Sequence, residues 1–275
     1  MGLLDALSKI LSTIGIKTDV MMFLVMFGLA FARSVTAISL APFVGGNAVP
    51  GRIKVGMAAL VTMLIYPHIT LNAPRELPAV MLVGLIVKEA IIGATIGMLT
   101  QLVFYSVQMA GIIVDTQRGM NQLTFFSPQL PGPTSALGQF QFQAALVLFL
   151  AMNGHLHFIQ ALSRSFVVLP LMTFPHFHGG IMPVMEMMIR LTGDGMVIAL
   201  QLGAPVLVAL FLVDIAFGAL GKVAGRINVH NESQPVKSLV GLIVFILSAA
   251  LILGQLQKYF VDMLLAIDRL TKGIA

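Results

Sequence analysis

Long apolar segments separated by short polar or Pro/Gly-rich breaks constrain this chain more than any other feature. Six of them cover residues 20–42, 55–71, 78–105, 140–173, 196–219 and 239–260. Only 10% of the 275 residues are charged, whereas soluble domains carry about 25%. A helical crossing of the hydrocarbon core needs about 20 apolar residues. The sequence therefore predicts an all-α fold made of hydrophobic helical hairpins, of the kind found in multi-pass membrane proteins.

One central region, residues 111–140, is neither plainly apolar nor plainly polar. Three prolines and three glycines lie between Gly119 and Gly138, so a continuous helix is excluded there and a structured loop or broken hairpin is expected. This region divides the chain into N-terminal helices (1–110), a loop region (111–140) and C-terminal helices (141–275). The segment at 140–173 is too long for one upright crossing, which predicts a bent helix or two half-helices.

The composition also excludes several classes of function. The net charge of +5 comes from dispersed basic residues that form no run or stripe, so nucleic-acid binding is not expected. The chain has no cysteine, and it lacks the nucleophile, zinc-protease and phosphate-loop motifs. His155 with His157, and His176 with His178, are spaced by two, which places each pair on opposite faces of a helix. We expect no metal, no cofactor and no enzymatic activity.

Ionisable residues within apolar segments are costly, and they are therefore usually paired or functional. They are Arg33, Lys88, Glu89, Asp115, Arg118 and Asp214. Asp115 and Arg118 are three apart and can form an ion pair on one helix face. Lys88 and Glu89 are adjacent, so at least one needs a partner on another helix.

Two interpretations of these charges are open. In a stand-alone secondary transporter or ion channel, Glu89 and Asp214 would be the coupling sites. Alternatively, the charges pair across contacts between helices or subunits, which is favoured because no clustered relay is present. Gly93 and Gly97 additionally offer a close approach between two helices.

The loop region contains apolar side chains on a Pro/Gly-shaped backbone, including Leu123, Phe125, Phe126 and Leu130. Such residues can close a pore by dewetting, and the flexible Met120 could help to seal it. A buried interhelical loop would have the same composition without any gating role. The residues alone favour neither of these two interpretations.

Several motifs in chain order resemble the FliR/SctT family, whose members are inner-membrane subunits of the export gate of bacterial flagella and type III secretion injectisomes. The resemblance covers nearly the whole chain. It is carried by Arg33, the turn from Pro42 to Pro50, KEAIIGATIG (88–97), DTQRG (115–119), FFSP (125–128), NGHL (153–156), LVDIAFG (212–218) and PVK (235–237).

The resemblance implies a single-copy, non-enzymatic subunit that joins two smaller hydrophobic partner subunits in a ring through which unfolded proteins pass. The ring would extend from the inner membrane towards the periplasm. The pore plug implied by the family is Gly119, Met120, Leu123, Phe125, Phe126, Pro128 and Leu130. The buried polar residues expected to hold the fold or the assembly are Arg33, Lys88, Glu89, Asp115, Arg118, Asp214 and Lys237. The motifs do not separate a flagellar from an injectisome member.

Overall fold

The structure is a computed structural model that describes residues 20–44, 49–69, 78–120, 135–174, 182–223 and 229–274. Over these ranges it is helical and contains no strand, which confirms the predicted all-α class. The α-helices are α1 (Val20–Leu40), α2 (Gly51–Ile65), α3 (Ala79–Gln117), α4 (Ala136–Ala151), α5 (Gly154–Val168), α6 (Met182–Val223) and α7 (Val229–Ile274). Two short 3-10 helices, Pro42–Val44 and Tyr66–His68, follow α1 and α2.

Fewer helices can cross a membrane than the six apolar segments predict. Within the described ranges, four helices are long and apolar enough, and the bent pair α4 and α5 makes a fifth if it counts as one span. The segment at 55–71 is the exception. It forms α2, whose 15 residues rise about 22 Å, short of the ~30 Å hydrocarbon core. Pro67 stands in the 3-10 helix that ends α2, and it has no N–H with which to continue the ladder.

Three helices extend well beyond the apolar segments that predict them. Helices α3, α6 and α7 contain 39, 42 and 46 residues. Their added turns carry polar residues but no glycine in a left-handed conformation, so the helices continue. Helix α7 continues even through Pro235, which has no N–H to donate to the preceding turn. Helix α3 ends only just before Gly119, whose φ is +76°. The apolar boundaries therefore predicted the positions of these helices but not their ends.

The predicted break within residues 140–173 is confirmed. Helices α4 and α5 meet at an angle of 71°, and Asn153 between them has a φ of +57°, a left-handed conformation that asparagine tolerates better than most residues. A side chain at Gly154 would lie 2.3 Å from the ring of Phe149. The bend therefore depends on two adjacent residues with special conformational or steric properties.

The chain forms two compact units, each built from separate stretches of sequence. Unit 1 comprises Met1–Gln101, His155–Val184 and Leu264–Ala275. In its described part, α1 and α3 approach so closely that a Cβ at Gly93 would lie 2.1 Å from the carbonyl oxygen of Arg33. A Cβ at Gly97 would likewise lie 2.7 Å from the carbonyl oxygen of Ala37. This is the close helix approach that the two glycines predict.

Unit 2 comprises Leu102–Gly154 and Met185–Met263. Its core contains an aromatic cluster in which Phe104 contacts Phe149 and Phe260, with ring centroids 5.4 and 5.1 Å apart. Helix α6 packs against α3 through Gly195, where an added Cβ would lie 2.9 Å from the hydroxyl of Ser106. The unit thus holds the end of α3, the start of α4 and the start of α7, which carry the first group of polar residues described next.

Candidate functional site

In unit 2, one carboxylate connects the two ends of the chain that flank residues 121–134. Asp115, in the last turn of α3, accepts hydrogen bonds at Oδ2 from the Ser135 hydroxyl (2.7 Å) and from the Leu137 backbone N–H (2.9 Å). Its Oδ1 accepts a hydrogen bond from Nη1 of Arg118 at 3.0 Å, the ion pair that the spacing of three predicts. Ser135 is the N-cap of α4 and accepts a bond from the Gly138 N–H, as expected for a serine at a helix start.

The backbones of α3 and α4 touch beside this carboxylate. A Cβ at Gly111 would lie 2.5 Å from both Cα and N of Gly138, and a Cβ at Gly138 would lie 2.9 Å from the carbonyl oxygen of Gln108. Only glycine fits at these two positions without moving a helix, because an added Cβ would clash mainly with backbone atoms of the facing helix. The two glycines therefore fix how closely the helices approach each other.

Helix α7 forms the third side of this arrangement. Nη2 of Arg118 donates to the carbonyl oxygen of Ser238 at 3.0 Å, and the Arg118 side chain crosses Gly241, where a Cβ would lie 2.7 Å from its Cδ. Gly119 has a positive φ, and the Gln234 amide occupies the space that a side chain at position 119 would need. We call Asp115, Arg118, Gly119, Ser135, Gly138 and Ser238 the loop base.

The second polar group lies in unit 1 and joins α1 to α3. Nε of Arg33 lies 2.5 Å from Oε2 of Glu89, and both side chains are completely buried. The other guanidinium nitrogens donate to the carbonyl oxygens of Ser165 and Leu169, each at 2.8 Å. The guanidinium also lies 4.2 Å from the ring centroid of Phe166, within the range of a cation–π contact.

Lys88 completes this group. Its ammonium donates to the carbonyl oxygens of Pro170, Leu171 and Thr173 at 2.8 to 3.1 Å. It also forms an ion pair with Oε1 of Glu89 at 2.6 Å. We call Arg33, Lys88 and Glu89 the charge cluster. As the adjacent pair in the sequence predicts, Glu89 finds its partner on another helix.

The last predicted polar pair, Asp214 on α6 and Lys237 on α7, forms a salt bridge in unit 2. The Lys237 side chain is 10% exposed, but that of Asp214 is 44% exposed. The pairing between helices that was favoured for the charge of Asp214 is therefore present, but within this chain alone its side chain is only partly buried. An apolar neighbourhood in sequence cannot distinguish an inward face of a helix from an outward one, and neighbouring Phe211 and Ile215 are exposed as well.

Of the predicted plug residues, Leu123, Phe125, Phe126, Pro128 and Leu130 lie outside the described residues. Gly119 and Met120 lie inside them, and Sδ of Met120 is 3.7 Å from the Ser238 hydroxyl. The loop base also includes Ser135 and Ser238, which sequence reasoning missed. Ser135 had a usable signal, a serine directly before an apolar helix, whereas Ser238 contacts Arg118 from 120 residues away and had none.

Comparison with known proteins identifies the family. Residues 24–263 match the family model described as "Bacterial export proteins, family 1". The chain belongs to this family. It is 30% identical over 212 residues to the flagellar biosynthetic protein FliR of Pectobacterium carotovorum, covering 77% of this chain and 79% of the relative. It is 27% identical to the FliR protein of Bacillus subtilis, covering 85% and 90%.

An injectisome relative is similar to almost the same degree. The Yop proteins translocation protein T of Yersinia pestis is 27% identical, covering 78% of this chain and 80% of the relative. The resemblance to the FliR/SctT family is thereby confirmed, and with it a role in the type III export apparatus as a non-enzymatic component. The apolar helices together with the family place the chain in the bacterial inner membrane.

Proposed function

We propose that this chain is a pore-forming subunit of the type III protein export gate, and that the segment following Gly119 closes the channel at rest. The loop base carries this proposal. Three helices of unit 2 converge on the two ends of residues 121–134, through a buried carboxylate, a buried guanidinium and two helix-contact glycines. Such a base suits a segment that must hold apolar side chains at a fixed place in a pore.

The partners in this proposal are two smaller hydrophobic subunits, with which a single copy of this chain forms a ring that extends towards the periplasm and conducts unfolded proteins. Support comes from the outward faces of α6 and α7. Large apolar side chains are exposed there, among them Phe211 at 63% and Leu247 at 78%. Continuous exposed apolar surface requires lipid or another protein chain to cover it. The half-exposed Asp214 favours protein over lipid at its own position, since hydrocarbon would not solvate a carboxylate.

The alternative of a stand-alone transporter is disfavoured by the same contacts. A coupling carboxylate must bind and release its proton or ion during a transport cycle. Glu89 is completely buried and is held by Arg33 and Lys88, and Asp214 is paired with Lys237. Neither carboxylate is free to exchange an ion without breaking contacts that stabilise the helices.

The proposal is tested by deleting residues 122–132 and measuring the ionic conductance of the assembled, purified complex in planar bilayers. We expect the deletion to produce a leak while the complex still assembles. A second variant replaces residues 122–132 with eleven Gly/Ser residues, which keeps the length but removes the apolar side chains, and it should also leak. Complexes that assemble and stay as tight as wild type would contradict closure by this segment. A chain that purifies alone and moves a solute in liposomes would favour the transporter.

A further inference from the structure

We infer that the end of α6, residues 211–223, docks a helix of one of the smaller partner subunits, and that this helix brings a lysine or arginine to Asp214. The inference rests on the proposed function and deepens it, because it gives one partner a defined contact and a defined charge. We call Phe211, Asp214 and Gly218 the docking face; the three residues lie on one side of α6, spaced by three and four.

Helix α6 is covered by unit 2 along its middle but not along its end. Leu202, Val206 and Leu210 follow one another at helical spacing, and each is almost completely buried. From residue 211 to residue 223 no side chain is buried. Five large apolar side chains in this range are more than half exposed: Phe211, Leu212, Ile215, Leu220 and Val223. This end of the helix needs a cover that the described part of unit 2 does not provide.

Asp214 indicates that a protein chain covers its face of α6. Lys237 pairs with Oδ1 of Asp214, but 44% of the Asp214 side chain stays exposed. Among the described residues no other group donates to this carboxylate or pairs with it. Hydrocarbon would leave the second oxygen unsolvated at a large cost, whereas a cationic side chain would form a charge-assisted hydrogen bond with it.

The charge cluster of unit 1 shows the same arrangement already completed. The two carboxylate oxygens of Glu89 are each paired with a different cation, Oε2 with Arg33 and Oε1 with Lys88. Asp214 has one such cation, Lys237, at Oδ1. A lysine or arginine on the docked helix would be the second.

Gly218 gives a second helix room to approach beside this carboxylate. A Cβ built at Gly218 meets nothing within 4 Å. At Gly93 and Gly111, by contrast, a Cβ would clash with the backbone of another helix, because that helix is already in contact. Glycines of this kind let two helix backbones approach closely. Gly218 therefore offers a close helix contact that no described part of this chain fills.

The first test removes both charges of the pair, Asp214→Asn with Lys237→Met, so that no buried cation is left behind. We expect the concentration at which half of the purified complex dissociates to rise about tenfold, as for the loss of one charge-assisted hydrogen bond. The measurement is native mass spectrometry of the diluted complex in detergent. If Asp214 only paired with Lys237, this double variant would keep the smaller subunits as well as wild type does.

Glu186→Gln with Arg190→Met is the matched control. It removes an exposed ion pair from the other end of the same helix, so the dissociation of the complex should not change. If the control lost the smaller subunits to the same extent, any loss of charge on α6 would weaken the complex, and a specific role of Asp214 would be overturned.

Gly218→Leu tests the close approach without changing a charge. The new side chain meets no atom of this chain but would block a docked helix, so the smaller subunits should be lost at least as readily as in the charge variant. Gly254→Leu in α7 is its control, because Gly254 is also exposed and a Cβ there also meets nothing within 4 Å. Equal losses in the two leucine variants would overturn the docking face.

Photocrosslinking identifies what covers the docking face. With p-benzoylphenylalanine in place of Phe211, we expect a crosslink to a smaller subunit, in a helix with a lysine or arginine within one turn of the crosslinked residue. In the Lys237→Met background, Asp214→Lys should release that subunit, and changing the partner's cation to glutamate should restore binding. Crosslinks only to lipid, to this chain or to a second copy of it would overturn the inference.

These outcomes separate the inference from the proposed function. If the wild-type chain purifies with smaller subunits, and both the double charge variant and Gly218→Leu keep them, the docking face is wrong and the proposed function stands. If the wild-type chain purifies with no smaller subunit, the proposed function is wrong and the inference falls with it.

Discussion

The charge cluster of unit 1 and the loop base of unit 2 are both buried polar groups that join three stretches of chain, but they are built differently. The charge cluster contains two cations and one anion, with backbone carbonyl oxygens of residues 165–173 and the Ser165 hydroxyl as the remaining acceptors. The loop base contains one ion pair whose carboxylate is shared with neutral donors. The first therefore concentrates charge in the interior, and the second mainly concentrates hydrogen bonds.

This difference indicates different tasks. Ions that are completely buried tolerate no loss of a partner, because the remaining charge has no water to solvate it. The charge cluster thus suits a permanent connection, here between α1, α3, the end of α5 and the residues that follow it. At the loop base, the Ser135 and Leu137 donors are neutral, so losing one of them leaves the Asp115–Arg118 ion pair intact. This smaller cost would suit a contact beside the segment that closes the channel in the proposed function.

The largest expected effect comes from Glu89→Gln. It leaves the cations of Arg33 and Lys88 buried without an anion, and removal of one partner from a buried ion pair costs about 3–5 kcal/mol. We expect a large fall in the midpoint temperature of the detergent-solubilised complex, followed by size-exclusion chromatography, or a loss of folded protein altogether. Asp115→Asn should lower the midpoint temperature less than Glu89→Gln does. If Glu89→Gln lowered the midpoint temperature no more than Glu186→Gln, which neutralises an exposed ion pair, the proposed difference between the two groups would be wrong.

An intermediate effect is expected at the helix-contact glycines of the two units. In Gly93→Ala the new Cβ would lie 2.1 Å from the Arg33 carbonyl oxygen, and in Gly111→Ala 2.5 Å from the Gly138 backbone. Overpacking of this kind costs about 1–3 kcal/mol. Both variants should lower the midpoint temperature, but only Gly111→Ala should also raise conductance, because it displaces the loop base.

Gly28→Ala is the matched control for these two variants. Gly28 lies in α1, where an added Cβ meets nothing within 4 Å, and alanine stabilises an open helix interior by roughly 0.5–1 kcal/mol relative to glycine. If all three variants lost a similar amount of stability, close contact between helix backbones would not be the cause of the destabilisation. A leak in Gly93→Ala would show that unit 1 also contributes to closure.

The sequence predicted the class of the fold and the charged residues of both polar groups, because charges inside apolar segments are rare and costly. It also predicted the bend near Asn153, from the length of the apolar segment at 140–173. It could not predict which segments are too short to span a membrane, since α2 ends at a 3-10 helix within an apolar run. It could not predict Ser238 or the carbonyl acceptors of Lys88, because backbone partners and distant side-chain partners leave no periodic pattern in the sequence.

The smallest expected effect concerns Tyr66, a buried polar residue of unit 1 that contrasts with the charge cluster in having no polar partner for its hydroxyl among the described residues. Its ring packs against Phe23 and Phe27, with centroids 5.0 and 6.0 Å apart. An unsatisfied buried hydroxyl costs about 1–3 kcal/mol, so Tyr66→Phe, which keeps the ring, should be neutral or slightly stabilising.

Burial also raises the pKa of Tyr66 above its ordinary value of 10.0. The unfolded phenol then ionises first, so this residue lowers the stability of the wild type as the pH rises above about 10. The midpoint temperatures of wild type and Tyr66→Phe should consequently diverge in favour of the variant between pH 7 and about pH 11. If the variant were instead clearly less stable at pH 7, the hydroxyl would have a polar partner in the assembled complex, and burial without pairing would no longer distinguish Tyr66 from Lys88.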